Sequence, residues 1–93
     1  MPKVDFTTAF LRDLKRLKSS PRQDAVIEAV SLFVENPKAP KLNFERVLSR
    51  SGYFSIRASH ADRVLLFQID GQHFEIAAVG NHDYIYRGYF KNR

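Results

Sequence analysis

The residues whose types and spacing in this chain could move protons or hold charge on an anion at neutral pH gather late in the sequence. His82 is one of only three histidines, and an imidazole with a reference pKa of about 6.5 offers both protonation states near neutrality. Asp62 precedes an apolar run and is placed either to orient a histidine or to act as a base. Tyr86, one turn beyond His82, can stack on a nucleobase or donate to a phosphate, and Arg57, Arg63 and Arg87 are the nearby cations. This set matches what RNA cleavage through its own 2′-hydroxyl needs: a base for the hydroxyl proton, an acid for the leaving 5′ oxygen, and cations for the charge on phosphorus oxygens. Each residue also has a plain structural reading. Asp62 can end a turn, His82 can cap the last segment, Tyr86 can be core, and Arg63 can bind a carboxylate such as Asp83. His60 lies in a turn and reads as solvated, and His73 follows a hairpin turn and reads as pairing across strands.

The elements that must position these groups span Tyr53 to Arg87. Phe54, Ile56 and Ala58 alternate with Tyr53, Ser55, Arg57 and Ser59, which predicts a strand with Arg57 on its polar face. His60-Ala61-Asp62 reads as a turn. Residues 64–69 are almost continuously apolar, as in a central strand covered on both sides, and Asp70-Gly71 predicts a tight turn into a third strand over Phe74 to Val79. Sequential strands usually neighbour one another, so Asp62 and His82 are expected at one end of the sheet. Gly80 and Asn81 allow the sharp turn that presents His82-Asp83.

Upstream, Lys3 to Phe6 alternates as an edge strand does. Thr7 or Thr8 is then a candidate cap for a helix whose stripe is Phe10, Leu11, Leu14 and Leu17, with Arg12, Lys15, Arg16 and Lys18 around the other side. Ser20-Pro21-Arg22-Gln23 has the spacing of a capping box with proline at the first helical position. It predicts a second helix carrying Val26, Ile27, Val30, Phe33 and Val34 and ending at Asn36-Pro37. Residues 37–51 show no clean period and read as a connection pinned by Leu42, Phe44, Val47 and Leu48. The expected architecture is α+β: an N-terminal helical hairpin packed on a small antiparallel sheet, with residues 1–93 as a single domain.

Composition narrows the chemistry. With no cysteine, thiolate nucleophiles, disulfides and cysteine-based zinc sites drop out. HxxxH and HExxH spacings are missing, so neither a metal nor another cofactor is expected. No apolar run approaches membrane-helix length and the first ten residues lack a signal-peptide pattern, so a cytoplasmic location is expected. A net charge of +5 fits a polyanionic partner, and ten of the fifteen basic residues precede position 51 against six acidic ones. Arg12, Lys15, Arg16 and Lys18 are therefore either a solvated face or a phosphate-facing patch.

In order, the FTTAFLRDLKRL opening, the Asn36-Pro37 helix end, Lys41-Leu42, Ser55 to Arg57, RVLLFQID and the terminal VGNHDYIYR resemble the RelE/ParE superfamily of bacterial toxins from toxin–antitoxin pairs, over nearly the whole chain. The resemblance implies two helices on an antiparallel sheet and, for RelE-like members, cleavage of messenger RNA in the ribosomal A site. ParE-like members inhibit DNA gyrase instead. Within the superfamily the YafQ-like pattern is similar in its Asp before the central strand and its G-x-H-x-x-x-aromatic ending, here Asp62, Gly80, His82 and Tyr86. A further YafQ-type histidine would fall at Ala58, with His60 nearby. The resemblance thus implies a toxin of a type II toxin–antitoxin system, a ribosome-dependent mRNA endonuclease. His82, Asp62, Tyr86, Arg63 and Arg57 would be catalytic; Arg87, His60, Lys15, Arg16 and Lys18 would bind substrate. The implied partners are a small acidic antitoxin, the ribosome and mRNA. The alternatives are a gyrase inhibitor without nuclease activity and a degenerate, non-toxic family member.

Overall fold

The computed structural model describes residues 1–91; the last two residues of the expected domain lie outside the described part. Strand β1 (Lys3–Phe6) leads into helix α1 (Thr8–Arg16), and helix α2 (Ser20–Glu35) follows. Strands β2 (Glu45–Arg46), β3 (Tyr53–Arg57), β4 (Arg63–Asp70) and β5 (His73–Gly80) come next, and a short helix α3 (His82–Tyr86) closes the described chain with a 3₁₀ turn over Gly88–Phe90. The sheet order is β1-β5-β4-β3-β2. Pairings from β2 to β5 are antiparallel, as the hairpin signals predict, whereas β1 runs parallel to β5, with Val4 opposite Phe74. The sheet is therefore mixed rather than wholly antiparallel.

Thr7 caps α1 by accepting from the Phe10 amide at 3.1 Å. Ser19 caps α2, one residue earlier than the sequence suggests, so Pro21 falls at the second helical position, where its missing N–H still costs nothing. Gln23 does not reach back to the cap. Its Nε2 donates to the Leu14 carbonyl at 3.1 Å and ties the start of α2 to the last turn of α1. Lys18 takes a positive φ of 52° in the turn between the helices.

Two apolar clusters lie on opposite faces of the sheet. The first joins Phe10, Val26, Val30 and Phe33 of the helical hairpin to Ile56, Val64, Leu66, Phe74, Ile76 and Val79. The second joins Leu65, Ala77 and Ala78 to Val47, Ile85, Tyr89 and Phe90. The face of β3 that reads as polar is thus covered: Ser55 is fully buried under α3. Leu11 is corrected as well, since it stands exposed while Asp13 takes the inward position beside Phe10. A β-bulge near Ala77 sends Ala77 and Ala78 to the same cluster and returns Val79 to the helical face.

Candidate active site

Alternation along β4 decides which charged groups meet. Val64 and Leu66 face the helical hairpin and Leu65 faces α3. Asp62 keeps the parity of Val64, and its carboxylate is engaged from the hairpin side by Arg22 of α2. Arg22 Nε donates to Oδ2 at 2.9 Å and its terminal nitrogen to Oδ1 at 2.7 Å, while Asp62 itself is 0% exposed. This charge-assisted pair raises the Arg22 pKa above its ordinary value, chiefly through the hydrogen bonds that the guanidinium donates to Asp62 and then through the charge of that carboxylate. The Asp62 carbonyl also accepts from the Ala58 and Ser59 amides, which closes the β3–β4 turn. Asp62 and His82 do lie at the same end of the sheet, but the sheet separates their side chains. The expectation that Asp62 is a partner or base for His82 is corrected: its acceptors are taken up by α2.

The α3 face is different. A cleft of about 510 Å³ opens between β2, its following turn and α3, lined by Glu45, Arg46, Leu48, Ser49, His82, Tyr86 and Arg87. His82 and Tyr86 sit four residues apart on α3, so their rings fall on one side of the helix, with centroids 4.3 Å apart and planes inclined by 31°. The Tyr86 hydroxyl shares a 2.6 Å hydrogen bond with Ser55 Oγ, which fixes the ring against β3. Exposed His82 is left facing solvent at the cleft.

Arg57 and Arg63 are directly opposed across β3 and β4. Like charges so placed repel, and little nearby compensates them. Arg63 approaches Glu45 only at 4.0 Å, and that terminal nitrogen is buried with no hydrogen-bond partner among the described residues. Asp83 pairs with Arg87 at 3.6 Å on the exposed side of α3, so it is not the carboxylate that meets Arg63. His60 is exposed in the β3–β4 turn and does not line the cleft, whereas His73 meets Asp5 across β5 and β1 at 2.5 Å, as its position after the hairpin suggests. Lys15, Arg16 and Lys18 are exposed at the end of α1, and Arg16 borders a second hollow of about 250 Å³ with Asp13, Gly80, Asn81 and Tyr84. The basic end of α1 therefore approaches the residue that precedes His82.

Two residues that the sequence reading passes over hold or complete this site. Glu45 places a carboxylate in the cleft, and the signal for it was weak because it sits in a segment with no period. Asp13 is 4% exposed and accepts from the Tyr84 hydroxyl at 2.9 Å and from the Val79 amide at 3.4 Å. β1 is paired with β5 only as far as Ile76, so Asp13 satisfies an edge amide that β1 does not reach. It also anchors α3 through Tyr84, whose ring packs where a Cβ on Gly80 would stand 2.5 Å away. The carboxylate three positions after Phe10 was the available clue, since it falls on the apolar side of α1. Among the described residues no three His, Asp or Glu side chains converge as metal ligands.

No protein-family model matches the sequence, and no curated protein matches it in sequence. Solved structures do match in fold. A copper-bound point-mutant toxin from Helicobacter pylori aligns with a TM-score of 0.71 at 11% identity, over 91% of this chain and 99% of that one. A chain of the E. coli DinJ–YafQ complex aligns at 0.71 with 12% identity, over 92% and 99% respectively. A YoeB/ParE toxin from Agrobacterium tumefaciens aligns at 0.69 with 18% identity, over 86% and 98%. The chain has the α+β fold of these toxins, the RelE/ParE-type fold that the order of its motifs implies.

Proposed function

We propose that the chain is the toxin of a type II toxin–antitoxin system and a ribosome-dependent mRNA endonuclease. The observation that carries this reading is the cleft in which an imidazole, a carboxylate and arginines converge: His82, Glu45, Arg46 and Arg87. In the proposed step the Glu45 carboxylate takes the proton of a 2′-hydroxyl. The freed oxygen bonds to the adjacent phosphorus, the P–O5′ bond breaks, and His82 in its protonated form gives a proton to O5′. The products are a 2′,3′-cyclic phosphate and a 5′-hydroxyl, so neither water nor metal enters the balance.

Arg46 and Arg87 of the cleft face the phosphate oxygens, and Arg57 and Arg63, opposed on the strands beneath α3, add positive potential to the same face. Tyr86, held by Ser55, is the surface against which His82 keeps its orientation. The Asp62 carboxylate takes a structural role, tying the β3–β4 turn to α2 through Arg22. Lys15, Arg16 and Lys18 contact ribosomal RNA, and the partner in the resting cell is a small acidic antitoxin that covers this basic surface in the cytoplasm.

Expression without the antitoxin should arrest growth, and sequencing of message ends from translating cells should find cuts within codons at the ribosomal A site. A His82→Ala chain that is as toxic as the wild type, or intact messages alongside inhibited DNA supercoiling, would remove the nuclease reading in favour of a gyrase inhibitor. Purification from the native operon should recover a small acidic chain.

A further inference from the structure

The lip of the cleft carries a leucine that the fold does not use. Leu48 is 92% exposed, although leucine ordinarily gains by burial and this position is not on a loose tail. The turn after β2 is braced at each side of it. Val47 is buried in the second apolar cluster and its amide donates to the Tyr53 carbonyl at 2.9 Å. The Arg50 amide donates to the Val47 carbonyl at 3.0 Å, and the Arg50 guanidinium lies over the Phe90 ring at 4.9 Å. Gly52 closes the turn with a φ of 84° where any Cβ would meet the Phe67 ring at 2.9 Å. A tight turn with both flanks pinned holds one apolar side chain out into water, beside Arg46, Ser49, His82 and Arg87.

An apolar surface next to two arginines fits a ligand that joins an anion to a flat, weakly hydrated face at a spacing of a few ångströms. A single-stranded nucleotide is such a ligand: its phosphate takes the cations and its base takes the apolar contact. We propose that Leu48 is a specificity-determining contact that packs against the nucleobase flanking the scissile phosphate, with Ser49 offering a hydroxyl to that base's edge. The inference rests on the nuclease reading and adds to it which part of the chain selects the cut site.

The experiment maps message ends in a translation extract supplied with the full chain as wild type, Leu48→Ser, Leu48→Phe and His82→Ala. Because Leu48 touches solvent almost all round, Leu48→Ser should fold as the wild type does by circular dichroism. Its cuts should continue, but the base preference beside the cut should change by roughly threefold or more, the scale on which a single apolar contact discriminates. Leu48→Phe should strengthen or redirect the preference. Cuts with an unchanged base distribution in both variants overturn the inference and leave the nuclease reading intact. A variant that instead loses a co-purified acidic protein with its cut pattern unchanged overturns it in favour of a protein contact. Absence of cuts from the wild type overturns the nuclease reading and this inference together.

Discussion

The two faces of the sheet treat ionisable groups in opposite ways. Under the helical hairpin, Asp62 is fully buried and both of its oxygens are held by Arg22. Under α3, two arginines oppose each other, one guanidinium nitrogen has no hydrogen-bond partner among the described residues, and a histidine and a glutamate face an open cleft. Buried polar groups ordinarily find partners, so the closed face is what stability alone produces. The open face leaves bonding capacity that an anionic ligand can fill. The same end of one sheet therefore carries a structural carboxylate and a candidate reactive site, separated by the thickness of the strands.

The largest effect expected from this contrast is at His82. His82→Ala should lower cleavage by about 10²–10⁴-fold, the usual contribution of a positioned acid or base, while changing stability by no more than about 0.5 kcal/mol because the side chain is exposed. Single-turnover cleavage and thermal melting of the same preparation check both halves. Equal losses of activity and stability would erase the distinction between the faces at its main point.

Asp62 should show the reverse. Asp62→Ala removes two charge-assisted hydrogen bonds from a buried site, and the thermal midpoint should fall by about 5–15 °C for a chain of this size. Cleavage per folded molecule, measured well below that midpoint, should stay within about threefold of wild type. A variant that melts normally but no longer cuts would return Asp62 to the chemistry.

That residue also shows how far the sequence could be read. The alternation in β3, the Asp70-Gly71 turn and the proline and serine signals of α2 are local, and the observed elements follow them within a residue or so. The parallel pairing of β1 with β5 joins positions about 70 residues apart, which no local period records. Residues 64–69 are apolar on both sides, so the pattern shows a central strand without saying which of Asp62 and Arg63 faces which layer. One step of alternation then separates the two side chains completely. Glu45 was hidden for a different reason: β2 is only two residues long, too short for any periodicity. The Ala77 bulge shifts the facing of β5, and only the observed register reveals it.

A smaller effect is expected at the link between the faces. The Tyr84 hydroxyl donates to buried Asp13, so Tyr84→Phe leaves one carboxylate bond unmade and should cost about 1–2 kcal/mol. Since Tyr84 lies between His82 and Tyr86 on a helix of five residues, cleavage should also fall. The loss should appear in the chemical step more than in substrate affinity, because the arginines of the cleft are untouched. Loss of affinity alone would place Asp13 outside the support of α3.

The smallest effect has the most diagnostic sign. Arg57 and Arg63 face each other across neighbouring strands, an arrangement that weakens pairing by a few tenths of a kcal/mol to about 1 kcal/mol, and less where solvent screens it. Neutralising the exposed member with Arg57→Gln should therefore raise the thermal midpoint by about 1–4 °C in low salt, and the gain should fade as salt is added. The same substitution should weaken RNA cleavage, since it withdraws a charge from the phosphate. A fold that keeps a repulsive pair needs a ligand to make the pair favourable, and bound polyanion should reverse the sign by stabilising the wild type more than the variant. If Arg57→Gln melts lower than wild type without ligand, the arginines are already compensated within the protein, and the open face is as closed as the other.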